Sequence, residues 1–363
     1  MSASADVTGP EAAPGLDSRL VVARGRFDLD LPLQVAAGEV VALLGPNGAG
    51  KSTALAALAG LVPLTDGHVR LRGRVLDDPR GGVLVPSRKR RVGMVFQDYL
   101  LFPHLSVLDN VAFGLRVRGA RRSAAREAAR GWLERVGVAE LAEVSPDRTS
   151  GGQAQRIALA RALVTGPDLL LLDEPLSALD ASTRPQIRSE LGHHLRSYPG
   201  CTVLVTHDPL DAMVLADRIV VVEDGRVVQR GTPAELARTP RTPYVARLVG
   251  LNLHRGTARG STVELSDGGT LHTAHPADGP VHVAFPPSAV ALHRHRPEGS
   301  PRNTWPGRVA TLEHHGDTIR VRLDARPPVL ADVTTAAVAE LRLHAGDEVW
   351  MSLKATEVRV YPR

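Results

Sequence analysis

The sequence predicts an α/β domain followed by an all-β domain, and three observations lead there. Residues 18–238 alternate apolar strand-like runs with longer helical ones. Residues 252–363 carry short β-rich runs, many turn residues and one evident helix, near "TTAAVAEL". A length of 363 residues also exceeds what one ordinary core fills.

Within the first domain "EVVALLG", "RVGMVFQ", "DLLLLDEP", "CTVLVTHD" and "RIVVVEDG" read as strands. The middle ones are continuously apolar, as in a sheet covered on both faces. "GKSTALAALAGLV" and "SGGQAQRIALARALVTG" read as helices, as does "SAAREAARGWLERVGV", ending near Gly137. Residues 239–251, around "ARTPRTPYVARLVG", read as a linker. Residues 1–17, "MSASADVTGPEAAPGLD", have neither a basic n-region nor an apolar stretch and read as a disordered tail, not a signal peptide. Every apolar run falls far short of the roughly 20 residues a membrane span needs. Work at a membrane would therefore use a partner's spanning segments.

A formal charge of +5 and a pI near 9.8 permit nucleic-acid, anionic-lipid or phosphate partners and select none of them. The single cysteine, Cys201, excludes an internal disulfide and fits a reducing compartment; its place before "TVLVTH" predicts a buried thiol. The 44 basic residues divide into 41 arginines and three lysines, Lys51, Lys89 and Lys354. That skew makes the position of each lysine informative.

"GPNGAGKST", comprising Gly45, Pro46, Asn47, Gly48, Ala49, Gly50, Lys51, Ser52 and Thr53, follows a strand and opens a helix. This is the context a phosphate loop requires. Its glycines let consecutive N–H groups turn toward phosphate oxygens, and the helix N-terminus adds positive potential. Lys51 is expected to reach the β- and γ-phosphates and Ser52 to ligate Mg²⁺. "LLLLDEP" ends in Asp173 and Glu174, placing two carboxylates at a strand end. Asp173 is expected to position Mg²⁺ and Glu174 to polarise an attacking water. ATP and Mg²⁺ are the expected cofactors.

With those residues in place, the chain resembles the ATP-binding cassette subunits of transporters. "TSGGQAQRIALARAL" (149–163) is similar to the family signature, "VFQD" to its Q-loop, "LSALD" to its D-loop and "VTHD" to its switch histidine, in the family's order across residues 18–238. The resemblance implies a P-loop NTPase cassette fold with a helical subdomain over about residues 98–165. It also implies a head-to-tail homodimer with two ATP molecules at its interface. Ser150, Gly151, Gly152 and Gln153 would face a γ-phosphate held by the other copy, and Asp180 would help join the halves. Gln97 would sense Mg²⁺ or the lytic water, and His207 would contact the γ-phosphate. Two departures stand out. Thr149 occupies the position where the signature usually has leucine, and "VVARGRFDLD" offers no clear aromatic residue for adenine, leaving Arg24 or Phe27. After the Q-loop, Tyr99, Leu100, Leu101 and Phe102 form an apolar cluster suited either to a permease helix or to the subdomain's own core.

The β domain contains a weak internal repeat. Asn252 and Gly256 match Asn303 and Gly307, and Val281 to His293 match Val349 to Tyr361 without a gap. Two OB-like units in tandem follow, with Lys354 facing Pro286 in the alignment. Residues 298–363 resemble the small molybdate-binding module of molybdate importers, through "SPRN" (300–303), where Pro301 replaces an alanine, and "SLKAT" (352–356). That resemblance implies an oxyanion site drawing on Ser300, Arg302, Ser352 and Lys354. A tetrahedral dianion needs N–H and O–H donors and one or two positive charges, and a lysine supplies a compact one. Lys89, in "PSRKRRVG", reads instead as part of a solvated charge run.

These features converge on the ATP-hydrolysing subunit of a molybdate importer, peripheral on the cytoplasmic side of the cell membrane. It would work beneath permease subunits fed by an extracytoplasmic binding protein, with molybdate also bound by the C-terminal domain. Residues 18–238 do not choose the cargo, so sulfate, ferric iron, polyamine and sugar stay open there. A soluble cassette ATPase acting on nucleic acid is the reading from another class. The β domain shows no aromatic stacking ladder and the cassette no long coiled-coil insertion, so no nucleic-acid partner is expected.

Overall fold

The structure, a computed structural model, describes residues 15–25 and 27–363, the Arg24 side chain excepted. Residues 1–14 of the expected tail lie outside the described residues. The chain divides into two compact units, Met1–Pro233 and Ala234–Arg363.

The first unit is built on one 11-stranded sheet. Its strands are β1 (Leu16–Arg24), β2 (Phe27–Val35), β3 (Val40–Leu44), β4 (Asp66–Leu71), β5 (Arg74–Asp78), β6 (Val83–Leu84), β7 (Val92–Val95), β8 (Leu169–Asp173), β9 (Cys201–Val205), β10 (Arg218–Glu223) and β11 (Arg226–Gly231). They lie side by side in the order β6-β5-β4-β1-β2-β11-β10-β3-β9-β8-β7. Helices α1 (Lys51–Ala59), α2 (Val107–Val117), α3 (Arg122–Arg135), α4 (Gly151–Leu163), α5 (Arg184–Arg196) and α6 (Pro209–Leu215) complete the unit.

From β10 through β3, β9 and β8 to β7 all neighbours run parallel. β3 and β9 are buried throughout and β8 up to Asp173, as their unbroken apolar composition requires of a doubly covered sheet. The opposite flank, β6-β5-β4-β1-β2, is antiparallel and was absent from the strands read in the sequence. β2 alternates buried and less buried residues along most of its length, the period of a strand covered on one face. β1 begins inside the stretch assigned to the tail, because Leu16 is buried between Val35 of β2 and Leu71 of β4. Helices α2, α3 and α4 pack round a separate apolar cluster that includes Leu108, Val111, Ala129, Leu133 and Ile157.

The second unit begins with α7 (Pro233–Arg238) and α8 (Pro243–Leu248). The stretch expected to be a linker holds α8, which buries Val245 and Ala246. Eight strands and one helix follow: β12 (Asn252–Leu265), β13 (Thr270–Phe285), β14 (Ala291–His293), β15 (Asn303–His315), β16 (Thr318–Ala325), β17 (Val329–Val333), α9 (Thr335–Glu340), β18 (Glu348–Leu353) and β19 (Arg359–Pro362).

The sequence repeat is present as a pseudo-two-fold, but its copies are not separate barrels. The sheets are β12-β13-β19 and β14-β18-β15-β16-β17, so each copy gives its last strand to the other's sheet. Ala284 pairs with Arg359, and the equivalent Ser352 pairs with Ala291. One apolar core spans both copies, from Val283 and Phe285 to Met351 and Leu353. The matched asparagines are buried and reciprocal. Asn252 accepts from the Leu330 N–H (2.8 Å) and donates to its carbonyl (2.9 Å), while Asn303 does the same with His272 (2.6 and 3.0 Å). The matched glycines sit where a side chain has no room, since a Cβ would lie 2.5 Å from the Glu264 oxygen at Gly256 and 2.6 Å from the Met351 methyl at Gly307.

Candidate nucleotide and oxyanion sites

Parallel strands align the C-terminal ends of β3, β7, β8 and β9 on one sheet edge, where open α/β sheets take ligands. The phosphate loop joins β3 to α1 there. Gly48 (φ 81°) and Gly50 (φ 101°) hold left-handed conformations, and a Cβ on Gly45 would stand 2.0 Å from the Val222 carbonyl of β10. Lys51 is buried, and its Nζ donates to the carbonyls of Gly45 (2.8 Å) and Pro46 (2.9 Å). Burial lowers its pKa, against the opposing pull of Glu174 and Asp173. Ser52 lies beside Asp173, whose carboxyl is pushed above its ordinary range by burial and by Glu174.

Glu174 follows β8 in a left-handed conformation (φ 46°), a strained state for a non-glycine residue. Its N–H donates to the Val205 carbonyl (2.9 Å), and its own carbonyl accepts from the Ser177 N–H (3.1 Å) and hydroxyl (2.8 Å). These bonds turn its carboxylate toward β9, where His207 Nδ1 stands 3.1 Å from Oε2. Lys51, Ser52, Asp173, Glu174 and His207 are thus brought together. Gln97 lies exposed, two residues past β7 at the same edge, with no hydrogen bond to this cluster among the described residues.

The remaining motif residues serve local structure within one copy. Ser150 caps α4 in a capping box: its Oγ accepts from the Gln153 N–H (3.3 Å) and its N–H donates to Gln153 Oε1 (2.9 Å). Gly151 and Gly152 leave the first turn of α4 without side chains, and a Cβ on Gly151 would meet the Ala178 carbonyl and Leu179 at 3.5 Å. Thr149 donates to the Pro146 carbonyl (2.6 Å). Asp180 is engaged by its own turn, accepting from the N–H and hydroxyl groups of Ser182 and Thr183. Those donors bring its pKa down to about 2.

Two further groups went unread in the sequence. Arg90 is buried and donates to the carbonyls of Val85, Ala57, Leu58 and Leu76 while pairing with Asp77 at 3.3 Å. Its neighbours Arg88, Lys89 and Arg91 are solvated as the charge run predicts. Behind His207, Asp208 pairs with Arg184 (3.2 Å) and Arg188 (3.5 Å), and the buried Asp211 with Arg188 (2.6 Å). This pins the switch turn to α5. Phe27 is half-buried with its ring against Gly50, where a Cβ would meet Cζ at 2.7 Å. The Arg24 side chain lies outside the described residues. No single local motif marks any of these partnerships, since each joins segments distant in the chain.

The apolar cluster after the Q-loop divides. Tyr99 is buried and Leu101 packs against the subdomain core, whereas Leu100 is exposed. Phe102 lies 4.6 Å, centroid to centroid, from the exposed Phe113 ring.

In the second unit, Asn303 pairs with Leu353, so Arg302 and Lys354 leave adjacent strands at the same end, both exposed, with Ser300 exposed two residues beyond. Ser352 is placed differently from the other three. It is buried on β18 between β14 and β15, and its hydroxyl is bonded to His293 Nε2 (2.9 Å).

A glycine loop between a buried strand and a helix, a lysine inside it and carboxylates at the neighbouring strand end define a nucleoside triphosphatase of the phosphate-loop class. Two family models match, the ABC transporter over residues 29–177 and the TOBE domain over residues 299–360. Relatives extend the match to nearly the whole chain. The molybdenum import ATP-binding protein ModC of Mycobacterium tuberculosis (strain ATCC 25618 / H37Rv) is 45% identical over 368 residues, covering 96% of this chain and 97% of that one. The sulfate/thiosulfate import ATP-binding protein CysA 2 of Chromobacterium violaceum is 39% identical, covering 91% and 90%. The molybdate/tungstate import ATP-binding protein WtpC of Pyrococcus horikoshii is 33% identical, covering 92% and 95%. The chain belongs to the family of ABC transporter ATPases, with a C-terminal TOBE domain. Among the described residues no helix is long and apolar enough to cross a membrane.

Proposed function

We propose that this ATPase drives molybdate import through separate permease subunits, as a homodimer peripheral on the cytoplasmic side of the membrane. The energetic half rests on the cluster of Lys51, Ser52, Asp173, Glu174 and His207. The cargo rests on the end-to-end likeness to a protein named for molybdenum import.

Mg²⁺ suits the donor set, because Ser52 and Asp173 offer hard oxygen ligands and the two carboxylates of Asp173 and Glu174 stand together beside the single charge of Lys51. When bound, it supplies electrostatic stabilisation to the transferring phosphoryl group. Lys51 exchanges the carbonyls of Gly45 and Pro46 for phosphate oxygens. Glu174 accepts the proton of the attacking water, and His207 orients that carboxylate through Nδ1. Gln97 completes the water site once the sheet edge closes. Ser150, Gly151 and Gly152 of the second copy offer their donors to the γ-phosphate, so that ATP favours a closed homodimer and hydrolysis reopens it. Leu100, Phe102 and Phe113 form the apolar face for a permease helix. Arg302, Lys354 and Ser300 bind the internal oxyanion. Transport of sulfate by the same machine is the second reading, supported by the likeness to a sulfate/thiosulfate protein.

Two experiments test this. Glu174→Gln should slow hydrolysis by about 100-fold or more and accumulate an ATP-bound dimer; undiminished turnover would remove Glu174 as the base. Calorimetry on the full chain should give heat with molybdate, with affinity roughly tenfold weaker in Lys354→Ala. Heat with sulfate alone would reassign the cargo.

A further inference from the structure

Tyr99 and Leu100 are both left-handed (φ 58° and 45°), and neither is glycine. Two consecutive residues in that region are strained and persist only where surrounding groups hold them. One side chain does most of the holding. Arg161, in the third turn of α4, donates from Nη2 to the Tyr99 carbonyl (2.6 Å) and from Nη1 to the Leu100 carbonyl (2.7 Å). Its guanidinium lies 5.5 Å from the centre of the Phe102 ring. No carboxylate pairs with Arg161 among the described residues, and burial lowers its pKa. A half-buried guanidinium without a counter-charge is a costly way to gain stability alone.

The bend it holds has two further attachments. Tyr99 donates its hydroxyl to the carbonyl of Pro175, the residue after Glu174 (3.4 Å). Asn110, fully buried, bonds both the N–H and the carbonyl of Phe102 as well as the carbonyls of Leu105 and Ser106, which fixes the rest of the loop. The exposed Leu100 and the half-buried Phe102 therefore sit on a loop clamped to α4 by Arg161 and tied to the Glu174 turn by Tyr99.

We propose that Arg161 is a positioning residue that makes hydrolysis responsive to the permease, by making the apolar docking face and the Ser150 helix move as one body. The proposal rests on the reading of that face as the permease seat. Among the described residues Arg161 has no hydrogen bond or ion pair with Lys51, Ser52, Asp173, Glu174 or His207, so its role separates from catalysis.

The test uses the complex co-purified with its permease through a tag on this chain, compared with the chain alone. Arg161→Ala should leave basal hydrolysis and its KM for ATP within about twofold of wild type and leave the amount of permease recovered unchanged. The ratio of permease-stimulated to basal rate should fall about fivefold or more, the scale of a typical coupling. Arg161→Lys keeps the charge but not the planar fork and should give an intermediate ratio. A wild-type ratio in Arg161→Ala overturns the proposal, as does a basal rate that falls in parallel with the stimulated one. Should the alanine variant fail to fold, a wild-type ratio in Arg161→Lys overturns it. A wild-type complex that shows no stimulation at all overturns the docking reading together with this one.

Discussion

Arg90 provides the sharpest test of the physical reasoning. Its side chain is withdrawn from water, it donates to four carbonyls, and it pairs with Asp77, itself 2% exposed. In Arg90→Met the apolar stem is kept and the charge removed. The Ala57 carbonyl still accepts from the Gly60 N–H (3.0 Å), but Asp77 is left as a buried carboxylate without its cation. Breaking such a pair from one side costs about 3–5 kcal/mol, at least about a fifth of the roughly 5–15 kcal/mol that holds a domain together. With a urea dependence near 2–3 kcal/mol per molar, the midpoint should fall by about 1–2 M.

The pH dependence has a definite sign. Burial already raises the Asp77 carboxyl above its ordinary pKa, with Arg90 pulling it down. The folded chain therefore holds this proton more tightly than the unfolded one. The cost of its ionisation appears as pH rises above the ordinary carboxylate value and is complete once pH passes the folded value. Removing Arg90 raises that folded value further, so the variant's deficit should shrink between about pH 8 and about pH 5. Arg90→Met with Asp77→Leu should recover most of the loss, because an apolar pair replaces a buried ionic one at little cost. Urea unfolding at both pH values decides the matter. A single variant within about 1 kcal/mol of wild type, or an equal deficit at both pH values, would show that the buried charge is not what Arg90 neutralises.

Two other expectations follow from the same structure. Burial pushes the Cys201 thiol up to about 11, so iodoacetamide at about pH 8 should alkylate the native chain at least about 100-fold more slowly than a free cysteine and rapidly in urea; fast native labelling would contradict its burial. Asn303→Ala leaves the His272 N–H and carbonyl without their partner and should cost about 2–4 kcal/mol in thermal or chemical unfolding, with Asn252→Ala close behind; a loss confined to one of them would break the pseudo-two-fold account.

What was legible in the sequence is what is local. β3, β8 and β9 are unbroken apolar runs, and the nucleotide motifs are short strings whose chemistry depends on adjacent residues. Arg90 illustrates the opposite case. Inside "SRKRR" it is indistinguishable from its solvated neighbours, and only the fold brings Ala57, Leu76 and Asp77 around it. The burial of Ser352 was illegible for the same reason, since a motif gives residue identity but not which face of β18 is covered. The repeat revealed that Asn252 and Asn303 are equivalent, yet two copies with separate strands and two copies with exchanged strands share one alignment. The antiparallel flank was partly readable, because β2 alternates as a one-sided strand should, and the long apolar strands drew attention away from it.

The two helix starts proposed to face one nucleotide are prepared differently, and the difference limits what each can donate. α1 has no side-chain cap and no acidic residue in its first turn, so the N–H groups of Lys51, Ser52 and Thr53 stay available for phosphate. Its order comes from the other end, where left-handed Gly60 donates to the Ala57 carbonyl and Arg90 holds Ala57 and Leu58. α4 is capped at its start, with the Gln153 N–H already taken by Ser150 and the Ser150 N–H by Gln153. Its offering to a partner's phosphate therefore reduces to the Gly151 and Gly152 N–H groups and the Ser150 hydroxyl proton. A helix that lacks a cap gains one when phosphate arrives, whereas a helix already capped gains only contacts. On that ground nucleotide should bind first to the Lys51 loop of a single copy, and the Ser150 end should add its bonds only as the second copy closes.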